Sequence, residues 1–207
     1  MQGAIQNLWP TPIYENLAQG NEYDNIQEEL NTTIKRLNFS QYGDWKTSIN
    51  PNTLELSDDP FNNNILDQYN CFNFLNFLDR CIEEYLCLID AKKTSYKIDS
   101  SWITKTHKGQ NAQAHSHGLS DISGVYYVNT NGEDGNLRFE YIHHLLESNY
   151  IYSAVGSTPM DRVRAPLYNG LILLWPSNVR HGTEVNTTDH ERLSLSFNIN
   201  LSRDNLR

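Results

Sequence analysis

The sequence predicts an α+β domain, with antiparallel sheets and helices laid over one outer sheet face. Two observations lead there. Apolar residues recur at spacings of three and four in two stretches of the first half, and from Tyr96 onward the recurrence switches to every second residue. A length of 207 residues fits a single domain, 1–207, in which residues 1–95 are mainly helical and residues 96–207 form the strand-rich core.

The first helix is expected over Asn21 to Leu37, where Tyr23, Ile26, Leu30, Ile34 and Leu37 share a face. Residues 38–62 are rich in Asn, Asp, Ser, Pro and Gly and read as loop, with Trp45 as an anchor. "CFNFLNFLDRCIEEYLCLID" repeats the helical spacing through Phe74, Phe77, Leu78, Cys81, Tyr85 and Leu88. After it "YKIDSSWITK" alternates, "DISGVYYVN" reads as a strand closed by the turn signal "NTNGEDGN", and "NLRFEYI" reads as the next strand. Residues 142–165 are polar and irregular, the mark of a long excursion over a site. "GLILLWP" is an apolar strand closed by Pro176, and "RLSLSFNINL" alternates throughout. In this last strand Leu193, Leu195, Phe197, Ile199 and Leu201 share one face, and Arg192, Ser194, Ser196, Asn198 and Asn200 the other. In an ordinary antiparallel sheet the polar face meets water. In a small barrel the apolar face packs outward on the helices and the polar face lines the interior.

A net charge of −9 with scattered Lys and Arg argues against a sequence-independent grip on nucleic acid, which needs clustered cations. Cys71, Cys81 and Cys87 are odd in number and sit in one apolar segment, so they are expected as reduced core residues. The first residues lack the basic and apolar regions of a secretory signal, and no apolar run approaches a membrane span. A soluble cytoplasmic protein is expected, in the host cytoplasm if the source is viral. Sequons such as Asn186-Thr187-Thr188 then carry no meaning.

Chemistry concentrates at "QNAQAHSHGLSDISGVYYVN". On an extended segment His115 and His117 project to the same side, and two adjacent imidazoles can hold one metal ion. An open iron site takes three facial ligands, usually two His and a carboxylate, leaving positions for cosubstrate and oxygen. The best third ligand is His181 in "GLILLWPSNVRHGTEV", just past a buried strand that can hold it rigidly.

The order H-x-H, "SGVYYVN", G-x-x-x-x-x-P-S with a distal His, then R-x-S in "RLSLSFN" resembles the 2-oxoglutarate and Fe(II)-dependent oxygenases of phage and bacteria, relatives of the prolyl-4-hydroxylase branch. "LWPTPIY" resembles the opening segment of the same group, so the likeness spans most of the chain, with residues 115–198 as its specific part. It implies a double-stranded β-helix, or jelly-roll, core. It also implies Fe(II) held by His115, His117 and His181, and 2-oxoglutarate and O2 as cosubstrates. Arg192 matches the residue that pairs with the C5 carboxylate of 2-oxoglutarate, Ser194 the hydroxyl two residues on, and Tyr127 a tyrosine that reaches the same carboxylate. Arg suits this role because its planar fork binds carboxylate through two hydrogen bonds. The implied reaction couples decarboxylation of 2-oxoglutarate to succinate and CO2 with hydroxylation of a substrate C–H bond.

The wider superfamily carries H-x-D/E where this chain has His117. Asp121 is the rival ligand that would restore a carboxylate; Glu184 is a weaker one. Among the remaining histidines, His107, His143 and His144 are expected as solvated surface and His190 as an ion-pair partner of its acidic neighbours. Trp102, Trp175 and Tyr126 are candidates for the pocket wall, though strand aromatics are more often core. The 142–165 excursion offers Tyr150, Tyr152, Arg162 and Arg164 as substrate contacts, the competing reading being a surface insertion or subunit contact. Expected partners are a peptide, amino-acid or small-metabolite substrate and, optionally, a second copy of the chain, with neither nucleic acid nor membrane. Two other classes stay open: a cupin-like metalloenzyme without 2-oxoglutarate, and a non-catalytic viral jelly-roll.

Overall fold

The computed structural model describes residues 11–41, 48–49, 64–91, 94–140, 162–165 and 167–202. In chain order the elements are β1 (Tyr14–Leu17), α1 (Gly20–Ile34), β2 (Ser40–Gln41), β3 (Ser48–Ile49), α2 (Ile65–Gln68), α3 (Phe72–Leu88), β4 (Tyr96–Thr106), β5 (Ile122–Asn129), β6 (Leu137–Glu140), β7 (Arg162–Ala165), β8 (Leu171–Pro176), β9 (Arg180–Thr183) and β10 (Arg192–Leu201). Seven strands form one sheet in the order β1-β8-β5-β10-β4-β3-β2, and three form a second in the order β7-β6-β9. All the strand pairings are antiparallel.

The alternation in β10 decides how the layers stack. Its odd positions, Leu193, Leu195, Phe197 and Ile199, join a core with Ile103, Tyr126, Ile172 and Leu174 from the neighbouring strands and with the apolar stripes of α1 and α3. Phe74 of α3 meets Tyr126 edge-on at 5.1 Å and Phe197 at 6.0 Å. Each fully buried Phe or Leu contributes roughly 1.5–3 kcal/mol, so this helix-on-sheet layer dominates stability. Gly124 of β5 lies under the Phe197 ring, where a Cβ would collide with both Phe197 and Leu174. The opposite face of the large sheet presents Val125, Tyr127, Leu173 and Trp175 to Leu137 and Phe139 of the small sheet. Between the two sheets runs an interior cavity. Polar residues of β10 line it, as the barrel reading requires: Arg192, Ser194 and Asn198 are buried at 2%, 7% and 5% exposure.

The helices follow the expected spacing with two adjustments. The first ends at Ile34, and a following turn still buries Leu37. Its Glu29 carboxylate accepts from the amides of Asn73 and Phe74 at 2.9 and 3.0 Å, satisfying free N–H groups in the first turn of α3 and tying the helices together. The stripe of α3 runs through Ile82 and Leu86 rather than out to Leu88, which is 70% exposed. Cys71 and Cys81 are buried, but Cys87 is exposed, correcting its expected place in the core. The short elements β1, β2, β3 and α2 lack enough residues to show a period, and sequence reasoning passed over them. Trp45 lies outside the described residues.

Candidate metal centre and cosubstrate pocket

The three histidines come together through backbone pairing. His115 and His181 form an isolated antiparallel bridge in which each amide donates to the other's carbonyl at 2.8 Å. The amide of His117 donates to Ser177 O at 2.9 Å, across the turn that precedes β9. His115 and His117 therefore do not share one continuous strand, as their spacing suggested; a bridge holds the first and a turn contact the second. Gly182 permits the approach, because a Cβ there would sit 3.0 Å from Ala112 O and 3.1 Å from Ala114 Cα.

One ligand atom from each ring falls within 4.8 Å of the others, and the group contains no carboxylate among the described residues. Nε2 of His115 and Nε2 of His117 stand 3.2 Å apart. Two ligands at right angles on a metal about 2.1 Å from each are separated by about 3 Å, so this spacing suits a shared ion. Nδ1 of His115 is 2.7 Å from Gln113 O, and Nδ1 of His181 is 2.9 Å from Val179 O. Donation at Nδ1 fixes the tautomer that leaves the Nε2 lone pair for a metal. Burial, reinforced by His115, lowers the pKa of His117 to about 4 and that of His181 to about 3. Burial also lowers that of His115, with Arg180 acting in the same sense and the Gln113 carbonyl opposing. All three rings are thus neutral near pH 7, the state that ligation requires. The donor set fits an open divalent iron site.

Arg192 lies in the same cavity as the histidines. Its Nη1 donates to Asp134 O at 2.9 Å and to Gly135 O, and its Nη2 donates to Thr106 Oγ1 at 3.2 Å. Its buried Nε–H has no partner among the described residues. Burial pushes the guanidinium pKa down, while Tyr127 and Asp134 oppose it. Tyr127 stands opposite Ser194 in the β5–β10 register, and both line the cavity. Burial, with a smaller contribution from Asp134, pushes the Tyr127 phenol up to about 12 against the pull of Arg192. The pocket thus offers a neutral phenol, a hydroxyl and a buried cation whose Nε–H has no partner among the described residues.

Other candidates fall elsewhere. The Asp121 carboxylate accepts from the Leu201 amide at 2.8 Å, pinning the end of β10, and lies outside the group formed by His115, His117 and His181. Glu184 accepts from Asn136 Nδ2 at 3.1 Å and is likewise outside the group. Tyr150 and Tyr152, with His143 and His144, lie outside the described residues. Arg162 and Arg164 belong to β7, within the stretch expected to be irregular, at register positions opposite Glu140 and Arg138. The residues of β6 that pack toward the cavity side are the alternate pair Leu137 and Phe139. Trp102 and Trp175 do line the cavity, their rings 5.9 Å from His117 and 4.8 Å from His181, whereas Tyr126 belongs to the helix-side core. His107 is half-exposed with Nδ1 3.4 Å from Glu191, and His190 approaches buried Asp134 at 3.6 Å instead of its sequence neighbours. Thr104 and Thr106 were missed as pocket residues, although they continue the alternate face that Trp102 begins in "SSWITKT".

Residues 100–198 match the model of the family described as "Putative 2OG-Fe(II) oxygenase". Through this region, just under half of the chain, the sequence is similar to the 2OG-Fe(II) oxygenases, enzymes that use Fe(II), 2-oxoglutarate and O2. Among solved structures, HygX from Streptomyces hygroscopicus, bound to nickel, 2-oxoglutarate and hygromycin B, is similar with a TM-score of 0.59 and 14% identity over 92% of this chain and 83% of that one. The epimerase SnoN from nogalamycin biosynthesis gives 0.58 and 13% over 91% and 77%. A prolyl-4-hydroxylase from Pseudomonas putida gives 0.53 and 16% over 91% and 92%. These likenesses establish the shared double-stranded β-helix fold. No curated protein sequence matches the chain. No helix among the described residues is long and apolar enough to cross a membrane.

Proposed function

We propose that His115, His117 and His181 hold the iron of this oxygenase, that Arg192 with Tyr127 and Ser194 holds the C5 carboxylate of 2-oxoglutarate, and that the enzyme hydroxylates a C–H bond of a peptide, amino acid or small metabolite. One observation carries the reading: a cluster of three neutral imidazoles and a buried guanidinium, its Nε–H without a partner among the described residues, open onto a single cavity.

Iron held by His115, His117 and His181 would supply the redox chemistry that couples decarboxylation of 2-oxoglutarate, to succinate and CO2, with hydroxylation of the substrate. One oxygen atom of O2 enters succinate and the other the substrate hydroxyl, so electrons and atoms balance without a further reductant. The chain's own residues bind and orient. His115 and His181 keep their Nδ1 protons on backbone carbonyls, which fixes the ring planes before any ligand arrives. Three neutral ligands leave the ion its full double charge, which favours a dianionic cosubstrate. Arg192 keeps Nη1 on the Asp134 and Gly135 carbonyls and offers Nε to the distal carboxylate, aided by the hydroxyls of Ser194 and Tyr127. Trp102, Trp175 and Tyr127 exclude water from the space between. The substrate class is supported by HygX, whose structure holds hygromycin B, and by the prolyl-4-hydroxylase.

The test is anaerobic titration of 2-oxoglutarate into the Fe(II) protein, followed by admission of O2 in the presence of peptide, amino-acid and metabolite pools. A visible charge-transfer band on titration and substrate-stimulated succinate are expected. Absence of both would overturn the reading in favour of a metalloprotein that does not use 2-oxoglutarate.

A further inference from the structure

Two of the three proposed ligands are held at Nδ1 by a backbone carbonyl, but His117 makes no such bond among the described residues. Its amide donates to Ser177 O at 2.9 Å, and its carbonyl accepts from the Ser120 amide within its own loop at 3.4 Å, so Ser177 is its tie to the sheet. Ser177 is itself the end of a buried polar chain. Its Oγ is 2.8 Å from Ser123 Oγ; Ser123 Oγ donates to Asn198 Oδ1 at 2.8 Å; and Asn198 Nδ2 donates to Ser100 Oγ at 3.2 Å. These four residues are between 1% and 5% exposed and sit on β4, β10, β5 and the end of β8. The chain of bonds therefore crosses the centre of the large sheet and ends at Ser177, in the turn before β9, whose carbonyl holds the His117 amide. Four polar side chains in this position are costly unless fully satisfied, and a satisfied network fixes one geometry where apolar packing tolerates several.

We propose that Asn198, through Ser123 and Ser177, is the positioning residue for His117, replacing by a cross-strand network the Nδ1 anchor that the other two ligands have. This rests on the reading of His117 as a ligand. Asn198 lies on β10, between β5 and β4, and its side-chain amide bonds Ser123 on one side and Ser100 on the other, so it joins the Ser123–Ser177 pair to the far strand. Its loss removes the side-chain tie on Ser177, leaving the Ser177 amide on Asp121 O, without touching His117 itself.

The test is Co(II) titration of the full chain, read by absorption and by the affinity it yields, with thermal unfolding recorded in parallel. Outer partners of metal ligands are commonly worth 10–100-fold in affinity, so Asn198→Ala is expected to weaken Co(II) binding at least tenfold and to alter the ligand-field spectrum. Ser101→Ala serves as the structural control. It removes an equally buried hydroxyl from β4, bonded to Asn64 and the Leu66 amide on the helix side, and is expected to lower stability while leaving affinity and spectrum as in the parent. Ser123→Ala, which deletes a single oxygen, repeats the measurement if Asn198→Ala does not fold. Unchanged affinity in the network variants, or equal losses in Ser101→Ala, would overturn the proposal. His117→Ala in the same titration separates the two levels: parent-like binding there would remove His117 from the ligand set and the proposal with it.

Discussion

His115 and His181 donate to each other's carbonyls at 2.8 Å, so the pair with the most closely spaced rings in the histidine cluster is set by main-chain pairing before any metal is considered. Their ring centroids lie 4.4 Å apart as a result. Such a site keeps its geometry when empty, and its side chains can be deleted one at a time without dismantling the strands.

Single alanine substitutions of His115, His117 and His181 should each weaken Fe(II) or Co(II) binding by at least a hundredfold while the chain stays folded. Asp121→Ala should leave metal affinity unchanged and cost stability only, because its carboxylate bonds Leu201 rather than the cluster. Calorimetric titration under anaerobic conditions decides. Full occupancy in His181→Ala, or loss in Asp121→Ala, would reassign the ligands.

Arg192→Ala should abolish 2-oxoglutarate binding and leave iron bound. Removing one partner of a buried ion pair costs on the order of 3–5 kcal/mol, which at ordinary cosubstrate concentrations suppresses the charge-transfer band. Arg192→Lys should recover only part, since an ammonium cannot keep both the Asp134 and Gly135 carbonyls and still offer a second donor to carboxylate. An undiminished band in Arg192→Ala would refute the assignment.

Acid should destabilise the metal-free protein. In the fold His181 stays neutral down to about pH 3, whereas unfolded it takes a proton near pH 6.5. Between those values the unfolded chain binds a proton the native one does not, so stability falls as pH drops below 6.5, by about 1.4 kcal/mol per pH unit for a single such group. Above pH 6.5 the group contributes no slope. Melting temperatures between pH 7 and pH 4 check this, and in His181→Ala the decline should be shallower.

Gly124→Ala should destabilise chiefly through the helix-side layer, although Gly124 and Phe197 also border the cavity. The new methyl collides with Phe197 and Leu174 on the helix side of the sheet, an overpacking that typically costs about 1–3 kcal/mol. A lower melting temperature with unchanged 2-oxoglutarate affinity is the expected pair of results; weakened affinity would mean that the two faces of the sheet are mechanically coupled.

Long periodic segments were legible in the sequence because their side-chain spacing is itself the packing. The stripes of α1 and α3 and the alternation of β10 gave both the layers and the inward placement of Arg192 and Ser194. His181 could be picked out beside His115 and His117 because imidazoles near strand ends are chemically conspicuous. What the sequence hid was pairing between distant residues. Nothing near His115 announces that its partner is His181, so the pair was read as one strand with His117. Asp121 looked like a ligand because its bond to Leu201 is a contact across the fold. The Ser123, Ser177 and Asn198 network was equally invisible, since alternation puts Asn198 on the inward face but does not say which residues of other strands it meets.

The two faces of β10 divide the work of a lineage as well as that of a molecule. Odd positions from Leu193 to Ile199 are committed to the helices, and exchanges there are screened by whether the protein accumulates at all. Even positions 192, 194, 196 and 198 line the cavity, so exchanges there alter what is bound with little effect on the packing behind them. The two faces therefore fail differently: an exchange on one costs the folded chain, and an exchange on the other costs the cosubstrate or the metal while the chain still accumulates.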